Sequence, residues 1–224
     1  MDSNKGKVMT VTGLIDPSDV GNTSTHDHVI IDFNAILTEP MNKEEIYLMD
    51  QKIDINNLGW VRFNWASSKD NLIYTDINDA CQELNSYKKS GGNTIVDVTN
   101  IGLGRDPKKL RTISKKTGVN IVMGSSFYVE LAQKKNYTKD GIESLFETIM
   151  KDINYGADNT DVKSGIIGEV GCSWPWTDNE KKSMEASVSA HKTTGLPLLI
   201  HPGRNEYAPL EIINYIDRLG ADLD

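Results

Sequence analysis

Cysteine is scarce in this sequence: two residues, Cys81 and Cys172, in 224. Neither sits in a C-x-x-C spacing, so a disulfide framework and a zinc knuckle are both excluded, and any metal must be held by histidine and carboxylate. Excess positive charge is missing too. Lys and Arg number 24 against 32 Asp and Glu, giving a net charge of −8 and a pI near 5.1. No basic face is offered to a phosphate backbone, which argues against nucleic acid as a partner and for a small-molecule substrate. Long apolar runs are also lacking. No stretch approaches the roughly 18 residues of a membrane helix, and the N-terminus at 1–7 is polar with no apolar segment behind it. These absences predict a cytosolic protein that does not engage a membrane. With 38% hydrophobic residues there is still enough apolar material for one sizeable core, hence a single domain over residues 1–224.

What is present is a rhythm of short apolar runs and polar helical stretches. Five runs, at 25–32, 93–99, 119–125, 165–170 and 196–201, are each followed by a helical pattern, with Gly, Asn or Pro at the junctions. That alternation is the mark of β/α units around a mostly parallel sheet. Before the second run, Ile77, Ala80, Cys81 and Leu84 fall on one face of a helix that Gly91 and Gly92 end. Residues 39–75 interrupt the pattern. They carry Trp60 and Trp65 in a mixed polar segment, read as short helices covering one barrel end. From His28 to His201 the spacing is about 43 residues per unit, whereas a complete (β/α)8 barrel takes ~250 residues or more. The fold class is therefore α/β, a TIM-type (β/α)8 barrel that is incomplete here, with about five β/α units.

His26 and His28 stand two apart on the first strand. Side chains alternate faces with period 2, so both imidazoles are expected on the interior side and Asp27 on the other. Two neutral imidazoles on one strand make half a site for Zn²⁺ or a similar divalent ion. Taken alone, the pair is as readily a chance occurrence. Glu169 alters the balance, because a carboxylate amid Ile and Val at a strand end is costly to bury unless a cation or an arginine meets it. Its two oxygens suit it to bridging two ions. His201 ends the run LLIH in the same relative place, at the rim where barrel active sites are built. Three of the four histidines and an apolar-flanked glutamate thus gather at strand ends.

The remaining candidates divide into structural and substrate-facing groups. His191 lies near the C-terminus of a helix and reads as structural, a cation there interacting well with the helix dipole. Cys172 and Ser173 follow Glu169, but no histidine is near in sequence to activate either as a nucleophile. Trp174 and Trp176 in the same loop are expected to wall a substrate pocket. The stretch GLGRDP at 102–107 lacks a full G-x-G-x-x-G and a P-loop lysine, leaving Arg105 as an anion contact in a tight loop. Tyr128, Trp174 and Arg204 follow the third, fourth and fifth strands on the active rim and are the expected substrate-binding residues. The guanidinium fork of Arg204 would suit a sulfonate or carboxylate.

Four segments together, GLIDPSDVGNTSTHDH, TNIGLGRD, GIIGEVGCSWP and PLLIHPGR, resemble the phosphotriesterase family of the amidohydrolase superfamily, and within it the phosphotriesterase-related subgroup. The resemblance runs in order along almost the whole chain. It implies a binuclear centre of two divalent metal ions, with zinc the expected metal: His26 and His28 on the more buried ion, Glu169 bridging as the catalytic carboxylate, and His201 on the more exposed ion. Bacterial phosphotriesterases carry a carboxylated lysine where this chain has Glu169, and Asp27 stands where the family commonly has Glu. The implied activity is a metal-dependent hydrolase in which a hydroxide bridged between the ions cleaves an ester, a lactone or an N-acyl amide such as an N-acyl taurine. A homodimer fits the same picture.

The family also carries a metal-binding His at the end of strand six and an Asp at the end of strand eight, both beyond the last residue here. Four of six implied ligands are present. Two other readings therefore stand beside the hydrolase. One is an inactive truncated fragment or pseudoenzyme, with raw sheet edges open to pairing. The other is a TatD-like metal-dependent nuclease, which shares H-x-H and a G-E-[IV]-G strand end. The preamble before His26 and the acidic charge weigh against the nuclease.

Overall fold

Each of the five apolar runs becomes a strand of one parallel sheet. The computed structural model describes residues 6–133 and 141–223, so most of the polar stretch at 1–7 lies outside the described residues. The chain opens with a hairpin that sequence periodicity does not announce, β1 (Val8–Thr10) against β2 (Gly13–Ile15). It closes one end of the sheet, where the amide of Val11 bonds the carbonyl of Ile121 at 2.9 Å and the Val11 side chain enters the core.

β3 (Thr23–Asp27) follows, and is shorter than the run at 25–32 predicts. The apolar residues after it turn away: Val29 donates its amide to the Asp97 carboxylate at 2.8 Å, and β4 (Ile31–Asp32) pairs antiparallel with β5 (Ile73–Tyr74) in a separate two-stranded sheet. That pairing zips the two ends of the long excursion together. Inside the excursion the chain forms short helical pieces, as its mixed polar pattern predicts. They are a 3-10 helix at Lys43–Asp50, α1 (Leu58–Phe63), a 3-10 turn at Trp65–Ser67 and α2 (Lys69–Leu72).

From α3 (Ile77–Lys89) onward the β/α alternation is regular: β6 (Thr94–Asp97), α4 (Pro107–Thr117), β7 (Asn120–Ser125), α5 (Ile142–Asn154), β8 (Ile166–Gly171), α6 (Asp178–Thr194), β9 (Leu198–His201) and α7 (Ala208–Arg218). Local chemistry sets the helix ends. Asp76 and Asp106 accept backbone amides at the starts of α3 and α4. Thr177 and Glu180 form a reciprocal capping box on α6, while Gly118 and Gly195 take the left-handed conformation that ends α4 and α6.

The sheet order is β3-β6-β7-β8-β9, all parallel. One face of each strand packs on helices. Ile95, Ile121 and Met123 meet Ala80 and Leu84 of α3 and Leu110 and Ile113 of α4. Ile167 meets Leu145 and Ile149 of α5 and Ala186 of α6, while Val170 meets Met184 of α6 and Ile212 of α7. Helices therefore cover one side, and the C-terminal strand ends converge on the other, where loops build the site.

Candidate metal centre

Of the three strands that bring ligand-type residues to the centre, β3 and β8 are irregular where they do so. The β3–β6 register shifts between Ser24 and Asp27, and the β8–β9 register shifts between Ile167 and Val170. On β8 this puts Ile167 and Val170, three apart, both toward helices, and leaves Glu169 free to turn to the opposite side. Re-aiming one side chain is what such an irregularity achieves next to a site. His26 lies on β3 and His28 one residue beyond its end, so strict alternation along one strand is not what aligns them. They nevertheless reach the same carboxylate.

Three imidazoles converge on Glu169, whose side chain is 1% exposed. His26 Nε2 is 3.3 Å from Oε2, His28 Nε2 is 3.5 Å from Oε1, and His201 Nδ1 is 3.1 Å from Oε2. Ligand atoms of His26, His28 and Glu169 all lie within 4.8 Å of one another.

The hydrogen bonds around His28 settle its tautomer. Thr99 donates its hydroxyl proton to the Ile30 carbonyl at 3.1 Å, so its oxygen accepts from His28 Nδ1 at 2.9 Å. The proton is thus on Nδ1, and Nε2 turns a bare lone pair toward an anionic oxygen. Burial favours the neutral ring as well, lowering the His28 pKa below its usual 6.5 against the opposing pull of Glu169. A lone pair facing a buried carboxylate is unfavourable unless a cation lies between them, and a nitrogen–oxygen donor set of this kind fits a divalent ion. The residues present therefore match the metal that the family resemblance implies.

Sequence reasoning missed the support beneath these residues. Asp97, fully buried, accepts amides from Val29 and Thr99 at 2.8 and 3.0 Å, fixing the chain on either side of His28 and Thr99. Burial pushes its carboxyl up to about 7. The one signal was a lone acid inside the apolar run TIVDV. Asn100 donates its side-chain amide to the carbonyl of Glu169, holding that residue's backbone. Glu180, also fully buried, accepts amides from Glu130 and Ser173 at 2.8 and 2.9 Å and ties together the loops after β7 and β8.

Residues expected around the substrate fall in different places. Tyr128 is buried beside the centre, its hydroxyl 3.2 Å from His201 Nε2 and its ring edge-on to that imidazole at 4.9 Å. Trp174 is half-exposed in the loop after β8, against Gly203. Arg204 lies over the ring of Trp65 at 5.7 Å. Trp176 does not wall a pocket, because it packs in the core between α6 and α7 and meets Tyr215 edge-on at 4.9 Å. Arg105 is likewise unavailable to an outside anion. Its buried guanidinium is bound by Asp152 at 2.8 Å and Asp158 at 2.9 Å. His191 ties α6 to the following turn and to the amide of Asp222, a structural placement. Cys172 is buried with its thiol pKa pushed up by desolvation, and Ser173 is bonded to Glu180 at 2.8 Å, so neither is poised for nucleophilic attack.

Comparison with known proteins gives the family. The profile of the Phosphotriesterase family matches residues 6–224. The chain is 40% identical over 224 residues to an N-acetyltaurine hydrolase of Xenopus tropicalis, covering all of this chain and 64% of that protein. It is 38% identical to the N-acetyltaurine hydrolase of Homo sapiens, with the same coverage. A phosphotriesterase-related protein of Nematostella vectensis is 39% identical over 221 residues, 97% of this chain and 63% of that one. The chain thus spans a little under two thirds of the curated relatives it matches. Among solved structures, a resiniferatoxin-binding protein of Rhodobacter sphaeroides superposes with a TM-score of 0.93 at 34% identity, over 97% of this chain and 61% of the other. The phosphotriesterase homology protein of Escherichia coli shares the fold, with a TM-score of 0.71 at 23% identity over 92% of this chain and 60% of that one. The match to a phosphotriesterase profile over residues 6–224 favours a hydrolase of that family over the TatD-like reading. The chain belongs to the phosphotriesterase family.

Proposed function

We propose that this chain carries the metal-binding part of a hydrolase that cleaves the acyl bond of a small N-acyl amino compound, with N-acyl taurines the leading substrate class. The observation that carries the proposal is the convergence of His26, His28 and His201 on one buried carboxylate, with His28 held in the tautomer that leaves its inner nitrogen free. Relatives at 38–40% identity named N-acetyltaurine hydrolase support the substrate class. Two divalent ions, zinc being the expected pair, would activate water and polarise the scissile carbonyl when bound.

The side chains take separate roles. His26, His28, Glu169 and His201 would hold the ions, and the Thr99 hydroxyl keeps His28 oriented. Tyr128 stays protonated, because burial and the nearby Glu169 raise its phenol above the usual range. Its O–H is therefore a hydrogen-bond donor toward a substrate oxygen at the rim. Trp174 and Arg204 face the part of the substrate away from the scissile bond.

Metal content and turnover test this together. Purified protein spanning the full family length, grown with zinc or manganese, should hold about two ions per chain by elemental analysis and hydrolyse N-acetyltaurine. Glu169→Gln should lower the rate by at least about a hundredfold while shifting the melting temperature little, since an amide retains the shape but not the anionic bridge. Less than one ion per chain, or an unchanged rate in Glu169→Gln, would count against the centre.

A further inference from the structure

The excursion between β4 and β5 does more than cover the sheet. Its ends are joined by the β4–β5 pairing and by the amide of Phe33 on the carbonyl of Leu72 at 2.8 Å. Thr38 bonds the carbonyl of Ala66 at 3.0 Å, and the Asn71 side chain bonds that of Trp65 at 3.1 Å. Trp65 is thereby fixed, with its ring 6.4 Å from that of Phe33. Phe33 in turn stands edge-on to Tyr128 at 5.7 Å, and Tyr128 touches His201 of the centre. An aromatic row thus runs from the outer loop to the metal ligands.

Arg204 ends this row. Its guanidinium lies on the Trp65 ring, close enough for its charge to be felt at the Tyr128 phenol. Among the described residues it has no carboxylate partner. Arg105 shows the contrast, its charge being answered by two aspartates. A guanidinium steadied over an indole face still has N–H groups free for two oxygens of a sulfonate or carboxylate.

We propose that Arg204 is the receptor for a monoanionic substrate tail, and that Trp65, reaching it from the excursion, is the residue that positions it. This rests on the hydrolase reading above for its setting, though the receptor itself does not need turnover. A substrate would lie along the aromatic row, its acyl carbonyl at the centre and its anion on Arg204. The enzyme would then select acylated amino acids or amino sulfonates over neutral amides of the same length.

Two measurements on the metal-loaded protein of full family length test it. The first compares kcat/KM for N-acetyltaurine and N-acetyl-β-alanine with that for neutral N-acetylpropylamine. In Arg204→Ala the anionic-to-neutral ratio should fall about tenfold or more, mainly through KM. Trp65→Leu should lower the ratio about threefold or more, and Trp65→Phe should restore most of it, because a ring face is what the guanidinium needs. Equal losses on anionic and neutral substrates in both variants would overturn the assignment, as would a ratio unmoved by Arg204→Ala.

The second measurement is calorimetric binding of ethanesulfonate and of propionate, which contain no scissile bond. Binding of either anion to the wild type, weakened about tenfold or more by Arg204→Ala, sustains the receptor even if no acyl compound is hydrolysed, an outcome that would instead reject the hydrolase reading. Binding of neither anion to the wild type, or equal binding to wild type and Arg204→Ala, rejects the receptor.

Discussion

Thr99 controls which nitrogen of His28 faces Glu169, and it does so through a single hydroxyl that accepts from Nδ1 and donates to Ile30. Thr99→Val keeps the shape and removes both bonds, so the ring is free to rotate or to place its proton on Nε2. Zinc affinity should fall about 10–100-fold, the usual cost of losing such a support. Competition with a chromogenic chelator reads it directly, and an unchanged affinity would show that the tautomer is set elsewhere. Asp97 offers a test of opposite character, in metal-free protein. Burial raises its pKa in the folded chain from 3.8 to about 7, so the folded state favours the protonated form. Its contribution to stability is fully present below about pH 4 and is lost as the pH rises toward 7. His28 works the other way, since its lowered pKa costs stability as the pH falls below 6.5. That contribution is common to wild type and Asp97→Asn and cancels in the comparison. The mutant should be less stable overall, because its amide nitrogen faces a backbone N–H, and the deficit should be larger at pH 4.5 than at pH 7 in urea midpoints. Parallel profiles for the two proteins would show that Asp97 does not titrate in this range.

At the scale of elements, β8 shows how much of the site was legible. The motif GIIGEVG marks a strand with a glutamate at its end, and the apolar flanks alone pointed to a buried carboxylate needing a cation. The last two glycines carry information that sequence patterning could not supply. Gly168 has φ +134°, a conformation that L side chains rarely adopt, and a Cβ there would run into the backbone of Leu199 on β9. At Gly171 a Cβ would collide with the Tyr128–Val129 backbone. Gly168→Ala should therefore cost about 1–3 kcal/mol of stability and displace Glu169 enough to weaken metal binding more than a surface Gly→Ala such as Gly141→Ala. Denaturant titration alongside metal analysis would reveal it, and wild-type metal content in Gly168→Ala would mean the strand yields without moving its ligand. The strand–helix order and the residues that gather around Glu169 could be read because periodicity and burial cost are local properties. The N-terminal hairpin and the burial of Trp176 between helices could not, since both depend on packing between distant segments. Arg105 misled for the same reason: its partners Asp152 and Asp158 come from the end of α5 and the turn after it, about 50 residues away.

For the whole molecule, the sheet within residues 1–224 has two edges, β3 and β9, each with one neighbour among the described residues. All four residues of β9 are only half-buried despite the sequence LLIH, and on the adjoining α7 Leu210 and Ile213 are 61% and 48% exposed. Unpaired strand backbone next to exposed apolar side chains is a surface that seeks pairing. The same openness reaches the centre, where the His26 and His201 side chains are 47% and 36% exposed while Glu169 is 1%. Ligands that water reaches from one side hold an ion less tightly and select less well among ions. A polypeptide of residues 1–224 expressed alone should therefore self-associate in sedimentation velocity runs and bind zinc at least about tenfold more weakly than a relative of full family length. The net charge of −8 opposes association only at long range and is screened beyond about 8 Å at physiological salt, so raising the salt should increase self-association rather than disperse it. Co-expression with the C-terminal third of an N-acetyltaurine hydrolase relative should reduce the association and raise the zinc affinity together, because strands from that third would cover the β9 edge and the open side of the centre. A monodisperse monomer of residues 1–224 that binds zinc as tightly as the longer relative would show that five β/α units close the site by themselves.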